Sequence, residues 1–139
     1  LKTIIHGDFS LSNIFYDTRT NQIKLIDPRG LDLKNKMTIY GDIYYEYAKF
    51  AQFYIGYYDS IMSDNFIMNK NGNKFEFKII KSDYQRQVIK HLKRHNLYKK
   101  HLSKLDKNLV KYLYLSMISK HPENKKRQLC FLISSMSIH

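Results

Sequence analysis

The sequence is short of the residues that mark several protein classes. Its 139 residues include one cysteine (Cys130), two prolines and no tryptophan. One cysteine cannot form an internal disulfide, so we expect a reducing compartment and a cytoplasmic protein. No segment reaches the roughly 18 consecutive apolar residues of a membrane span, so we expect no membrane partner. With 43% hydrophobic residues, the chain has enough apolar material for a single domain, 1–139, with its own core.

Acidic residues are also scarce. The chain has 12 Asp and Glu against 24 Lys and Arg, which gives a formal net charge of +12. Such an excess attracts phosphate, nucleic acid or anionic surfaces. The lysines are scattered, however, and the densest basic run, 124–127, lies at an expected helix start with no nucleic-acid-binding motif beside it. We attribute most of the charge to composition, and a basic nucleic-acid-binding domain is the weakest function considered.

Apolar periodicity predicts an α+β fold with small hairpins first and helices behind them. We expect strands at 1–5, 14–16 and 22–26, with the last two forming a hairpin, and a second hairpin around Asn71-Gly72. We expect helices over 42–54, 83–95, 107–121 and 123–137. Asp42, Ser82 and Asp106 are their expected N-caps, and Pro122 is expected in the first turn of the last helix. Tyr47, Phe50, Ala51 and Tyr54 should form the buried face of the first helix, which Gly56 should end.

Oxygen-bearing side chains cluster around the first hairpin. Asp8 and Asn13 lie in the loop between two expected strands, and Asp27 ends the strand that follows. Hairpin pairing would bring all three to one edge. An aspartate can orient a hydroxyl and take its proton, while carboxylate and amide oxygens suit Mg²⁺. The alternatives are an Asx turn at Asp8 and Asn13 and a capped strand end at Asp27.

Two segments resemble a known family. "HGDFSLSN", followed by "IKLIDPRG", is similar to the catalytic and metal-binding segments of the aminoglycoside phosphotransferase and choline kinase group, which has a protein-kinase-like fold. The resemblance implies that Asp8 is the catalytic base and that Asn13 and Asp27 are metal ligands. It implies a loop-supporting role for His6, next to Gly7, which permits a tight backbone.

A third segment agrees with the first two. "GDIYYEYA", residues 41–48, resembles a family motif at a helix start, with Glu46 where relatives carry an aspartate that supports the catalytic loop. Arg29, in "DPRG", stands where relatives often have an aromatic or acidic residue. Arg29 could contact a phosphate, or brace the loop against Asp32 or Asp42, and the residues alone do not decide between these roles.

The resemblance implies an ATP- and Mg²⁺-dependent phosphotransferase that acts on the hydroxyl of a small molecule. A kinase of this type has a smaller N-terminal lobe with a phosphate-covering loop and a lysine. Neither is visible here, so we expect this chain to be the mainly helical C-terminal lobe and to be inactive alone. The basic composition favours a sugar or envelope precursor over a polycationic acceptor, with an amino alcohol still possible. The alternative from another class is a non-catalytic kinase-like binding module.

Overall fold

Short antiparallel ladders alternate with helices in the computed structural model, which describes residues 2–32 and 34–138. Within these ranges there are six strands and six α-helices. The strands are β1 (Lys2–Ile4), β2 (Ile14–Asp17), β3 (Gln22–Leu25), β4 (Tyr40–Asp42), β5 (Phe66–Asn71) and β6 (Lys74–Ile79). The helices are α1 (Ile43–Ile55), α2 (Tyr58–Met62), α3 (Asp83–Arg94), α4 (Asn96–Lys100), α5 (Lys107–Ile118) and α6 (Lys125–Ser137). The predicted α+β class is confirmed, with about half of the chain helical.

Both predicted hairpins are present. In the first, β2 pairs with β3 from Ile14 opposite Leu25 to Asp17 opposite Gln22. The Asp17 carboxylate accepts backbone N–H groups inside the turn, which stabilises it locally. In the second, Asn71 lies opposite Lys74, so the two turn residues are Gly72 and Asn73.

The first predicted strand finds its partner far along the chain. β1 pairs antiparallel with β4, with Thr3 opposite Gly41. The pattern at 1–5 predicted β1, although Leu1 lies outside the described residues, but no pattern predicted β4. Its three residues are too few to show an alternation, and only the contact with β1 makes them a strand.

Helix α1 follows β4 without an intervening loop, and some of its side chains face the loop between β1 and β2. The Asp42 side chain accepts the backbone N–H of Tyr44, as predicted for an N-cap, and the helix ends at Ile55, just before Gly56. Of its predicted buried face, Ala51 and Tyr54 are buried, whereas Tyr47 and Phe50 are half-buried at the edge of the core. Three polar residues of α1 are also buried: Glu46, Lys49 and Gln52.

The hydrophobic core lies between α1, α5 and α6. Tyr114 and Phe131 are its largest fully buried side chains, and the Tyr114 hydroxyl donates to the Gln52 carbonyl at 2.8 Å. Cys130 is fully buried there, as expected for an apolar thiol. Across the described residues, no helix is long and apolar enough to cross a membrane.

The start of the last helix was predicted wrongly. Asn124 is the N-cap of α6 and accepts the backbone N–H of Arg127, so Pro122 lies before the helix rather than in its first turn. An Asn side chain satisfies the free N–H groups of a helix start, which proline cannot do. Within the basic run 124–127, the Arg127 guanidinium is paired, because it makes two hydrogen bonds to the Asp64 carboxylate.

Candidate functional site

A buried carboxylate holds the loop between β1 and β2. Glu46, in the first turn of α1, accepts the backbone N–H of Gly7 at 2.8 Å and that of His6 at 3.1 Å. Its side chain is 7% exposed, and hydrogen bonds to a charged acceptor are stronger than neutral ones. The helix that follows β4 therefore fixes the backbone just before Asp8.

His6 ties the same loop to the end of β3. Its Nε2 donates to the Ile26 carbonyl at 2.8 Å, while its Nδ1 accepts the backbone N–H of Asp8 at 3.3 Å. The His6 carbonyl in turn accepts the N–H of Arg29 at 2.9 Å. Both ring nitrogens are therefore hydrogen-bonded to backbone groups, and the His6 ring contacts the end of β3 through Nε2 and the backbone of Asp8 through Nδ1.

Asp8 and Asn13 are brought together by the loop. The Asn13 amide nitrogen donates to the Asp8 carbonyl at 2.9 Å and lies 3.4 Å from Asp8 Oδ2. The Asn13 carbonyl accepts the N–H of Ile26 at 3.1 Å, which extends the β2–β3 ladder by one pair. Within residues 2–32 and 34–138 no hydrogen bond is made to Asn13 Oδ1, so the amide is oriented through its nitrogen and its oxygen is left as an available ligand.

Sequence reasoning missed one member of the site, Lys49. Its Nζ lies 2.8 Å from Asp8 Oδ1, and its side chain is 10% exposed against 41% for Asp8. Burial raises the pKa of the Asp8 carboxyl, but the hydrogen bond and charge of Lys49, together with the charges of Arg29 and Lys120, outweigh burial and leave the pKa below its ordinary value. Spacing offered a signal, because Lys49 is three residues after Glu46 and so lies on the same helix face.

Asp27 lies at the end of the hairpin that holds Asn13. Since Ile26 pairs with Asn13, Asp27 is the next residue beyond that pair. Its φ is +53°, in the left-handed region that is strained for a non-glycine residue and disfavoured before a proline such as Pro28. Its side chain is exposed and makes no hydrogen bond or ion pair with other described residues. The backbone thus brings Asp27 to the predicted edge, although no side-chain contact joins it to Asp8.

These oxygens fit a hard cation in chemical type. Mg²⁺ binds through one or two carboxylates and keeps several waters, and neither Asn13 Oδ1 nor the Asp27 carboxylate has a hydrogen-bond or ion-pair partner among the described residues. Across the described residues no group of three or more His, Cys, Asp or Glu side chains is placed to hold a metal. A cation here would therefore depend on ligands that the substrate or water supplies.

Arg29 packs over the Tyr45 ring, with its guanidinium carbon 5.3 Å from the ring centroid. Asp32, one of its two predicted bracing partners, uses Oδ1 to accept the backbone N–H groups of Lys34 and Lys36.

Gly7 has φ +80°, and a Cβ on it would lie 2.8 Å from the Arg29 Cβ. The close approach of these two segments therefore requires glycine at position 7.

Two cavities flank the loop. One, of about 390 Å³, is lined by His6, Gly7, Arg29 and Tyr45 among others. The other, of about 360 Å³, includes Ser12 of the loop, and burial raises the pKa of the Asp59 carboxyl that also lines it. Small molecules therefore have room next to residues 5–7 and 11–12, which adjoin Asp8 and Asn13 in the chain, although neither of those two residues lines either cavity.

Comparison with known proteins identified no relative of this chain. No protein-family model matches the chain, and no curated protein or solved structure matches it. The resemblance to small-molecule kinases therefore stays a prediction from the sequence segments.

Proposed function

We propose that the protein is part of an ATP- and Mg²⁺-dependent phosphotransferase whose acceptor is the hydroxyl of a small molecule. The observation that carries this proposal is the pair of hydrogen bonds from the backbone N–H groups of His6 and Gly7 to the Glu46 carboxylate, which we call the Glu46 clamp. A buried carboxylate, 39 residues away from Gly7 in the chain, fixes the loop on which Asp8 and Asn13 meet. Phosphoryl transfer depends on positioning and charge neutralisation more than on covalent catalysis, and a loop held this way supplies positioning.

In this mechanism Asp8 orients the acceptor. The lowered pKa of its carboxyl keeps it ionised at neutral pH, so it accepts a hydrogen bond from the acceptor hydroxyl. It receives the proton as the bond from the acceptor oxygen to the γ-phosphorus forms and the bond from that phosphorus to the bridging oxygen of ATP breaks, which releases ADP. Asn13 Oδ1 and the Asp27 carboxylate would hold Mg²⁺, which when bound neutralises charge on the phosphates. Arg29 lines one of the cavities, and in this proposal its guanidinium would contact a phosphate oxygen.

An exposed apolar face supports a two-lobed kinase. Ile14, Tyr16, Ile23 and Leu25 point to the same side of the β2–β3 hairpin, because cross-strand partners and alternate residues share a face. Tyr16 and Ile23 are 58% and 68% exposed, and a contiguous apolar face marks an interaction surface. We propose that a nucleotide-binding lobe covers it and that this chain forms the C-terminal, substrate-binding lobe of a protein-kinase-like fold.

Replacing Asp8 tests the catalytic proposal. Asp8→Asn in the full-length protein keeps the size of the side chain but removes the proton acceptor, so the rate of Mg²⁺-ATP-dependent phosphorylation should fall by about 10²- to 10⁴-fold. The assay follows transfer from γ-labelled ATP to a panel of sugars and amino alcohols, with water as the reference acceptor. Asp17→Asn, in the hairpin turn, is the matched control and should retain activity. Near-normal turnover in Asp8→Asn would exclude Asp8 as the base.

One observation favours the second candidate, a non-catalytic kinase-like binding module. Asp8 already has a cationic partner in Lys49, and an ion pair of that kind can serve structure alone. The two candidates differ in what they bind. Calorimetry with Mg²⁺-ATP should give heat that Asp27→Asn abolishes if the site is catalytic. A module would show no such metal-dependent binding.

A further inference from the structure

Lys49 is buried and, in the part of the chain that the structure describes, pairs with one side chain of opposite charge, that of Asp8. Lys49 as a whole is 9% exposed, and its Nζ contacts Asp8 Oδ1 at 2.8 Å. Lysine is rarely buried to this degree unless it is paired, because an isolated charge loses its hydration. The pair also joins two elements, since Lys49 lies on α1 while Asp8 lies in the loop after β1. Its geometry is therefore set by the fold and not by the sampling of a surface side chain.

This contact makes the two oxygens of Asp8 different. Oδ1 is bound to the Lys49 ammonium, whereas among residues 2–32 and 34–138 the one hydrogen-bonding contact of Oδ2 is that with the Asn13 amide nitrogen at 3.4 Å. A hydrogen bond of that length is weak, so Oδ2 remains able to accept another donor. We propose that Lys49 is a positioning residue: it anchors Oδ1 and thereby presents Oδ2 to the acceptor hydroxyl. This inference rests on the proposed phosphotransferase function.

Lys49 also offsets the charge of Asp8. A bare carboxylate next to a phosphoryl group that carries negative charge would repel it, and the paired ammonium reduces that repulsion. The other charged or titratable groups that interact with Asp8 do so through charge and not through a hydrogen bond to its carboxylate: Arg29, Lys120, Tyr45 and Tyr58. Lys49 is the partner in direct contact, so its loss should change both the orientation of Asp8 and the local charge.

Three variants separate positioning from a purely structural role. Lys49→Met has a similar length and no charge, and the Asp8 side chain is 41% exposed, so water can solvate the carboxylate that is left. Lys49→Arg keeps the charge with a different head group. Lys120→Met is the matched control, because Lys120 is exposed and acts on Asp8 only through space.

The test measures kcat and KM for Mg²⁺-ATP in the full-length protein, with water as acceptor and then with the acceptor panel. Lys49→Met should lower kcat by about 10- to 100-fold while KM for ATP changes less than about threefold, since misplacing a reacting group affects the chemical step. Lys49→Arg should restore part of kcat, and Lys120→Met should stay within about twofold of the unchanged protein. If Lys49→Met does not fold, Lys49→Gln is judged by the same numbers.

The outcomes separate a failure of this inference from a failure of the proposed phosphotransferase function. If Asp8→Asn loses activity but Lys49→Met retains its kcat, Lys49 is structural and only the inference fails. If Lys49→Met loses kcat and Lys120→Met loses as much, general charge explains the effect and the inference also fails. If Asp8→Asn retains full activity, Asp8 is not the base and the inference about Lys49 fails with it. If the unchanged protein transfers no phosphate from Mg²⁺-ATP to water or to any acceptor of the panel, the proposed function itself is wrong.

Discussion

The Glu46 clamp allows a prediction that needs no substrate. Glu46→Ala removes the acceptor of two backbone N–H groups, those of His6 and Gly7, at 3.1 and 2.8 Å. Alanine is too short to replace the carboxylate, and α1 and the β1 loop would both have to move for other acceptors to reach the Gly7 donor. The free energy of unfolding should therefore fall.

The size of the effect follows from burial. A buried donor left without a partner costs about 1–3 kcal/mol. The Gly7 contact is buried and the His6 contact is only partly buried, so water can satisfy the second donor in part. We expect a loss of about 3 kcal/mol in the free energy of unfolding. For a chain of this length that corresponds to a drop of roughly 10 °C in Tm.

Thermal and urea unfolding followed by circular dichroism would measure this loss. Glu123→Ala is the matched control, because Glu123 is exposed and its removal should change stability by less than about 0.5 kcal/mol. Glu46→Asp, with a side chain one methylene shorter, should fall between the two because it can reach at most part of the clamp. A Tm for Glu46→Ala within about 2 °C of the Glu123→Ala value would show that the clamp does not hold the loop.

Two further predictions concern Gly7 and Cys130. Gly7→Ala should destabilise the protein by about 1–3 kcal/mol in urea unfolding, because φ +80° disfavours a side chain there and the new Cβ would meet the Arg29 Cβ; stability equal to that of Gly72→Ala, where a Cβ meets nothing, would contradict this. Burial raises the pKa of the Cys130 thiol to about 11, so little thiolate exists at pH 8 and a thiol reagent should modify the folded protein slowly but the urea-unfolded protein quickly. Equal rates in the two states would refute the second prediction.

Local signals predicted much of the fold. Turn residues placed both hairpins, and the side chains of Asp42, Ser82 and Asp106 cap α1, α3 and α5 as expected. These predictions succeeded because a cap or a tight turn depends on hydrogen bonds between residues two to four positions apart. The short helices α2 and α4 were not predicted, since five residues are too few to show a helical period.

Part of the candidate site was visible in the same way. The spacing of Asp8 and Asn13 indicated a shared loop, and the hairpin placed Asp27 one residue beyond the partner of Asn13. Lys49 was not predicted as a member of the site because its contact with Asp8 joins residues 41 positions apart. From the sequence alone, a lysine on a helix face is expected to be exposed to solvent, and only the structure shows which groups lie against it.

The two hairpins, the capped helices α1, α3 and α5 and the chemical type of the loop residues follow from short stretches of the chain, because backbone preferences and short-range hydrogen bonds act within a few positions. How those elements meet follows from packing between distant parts of the chain. The tertiary structure paired β1 with β4, placed the Glu46 carboxylate under the loop, and set the Lys49 ammonium against one oxygen of Asp8. Each of these contacts depends on how α1 packs against the rest of the chain, and burial makes the choice of partner decisive, since charged and polar groups removed from water must find one another.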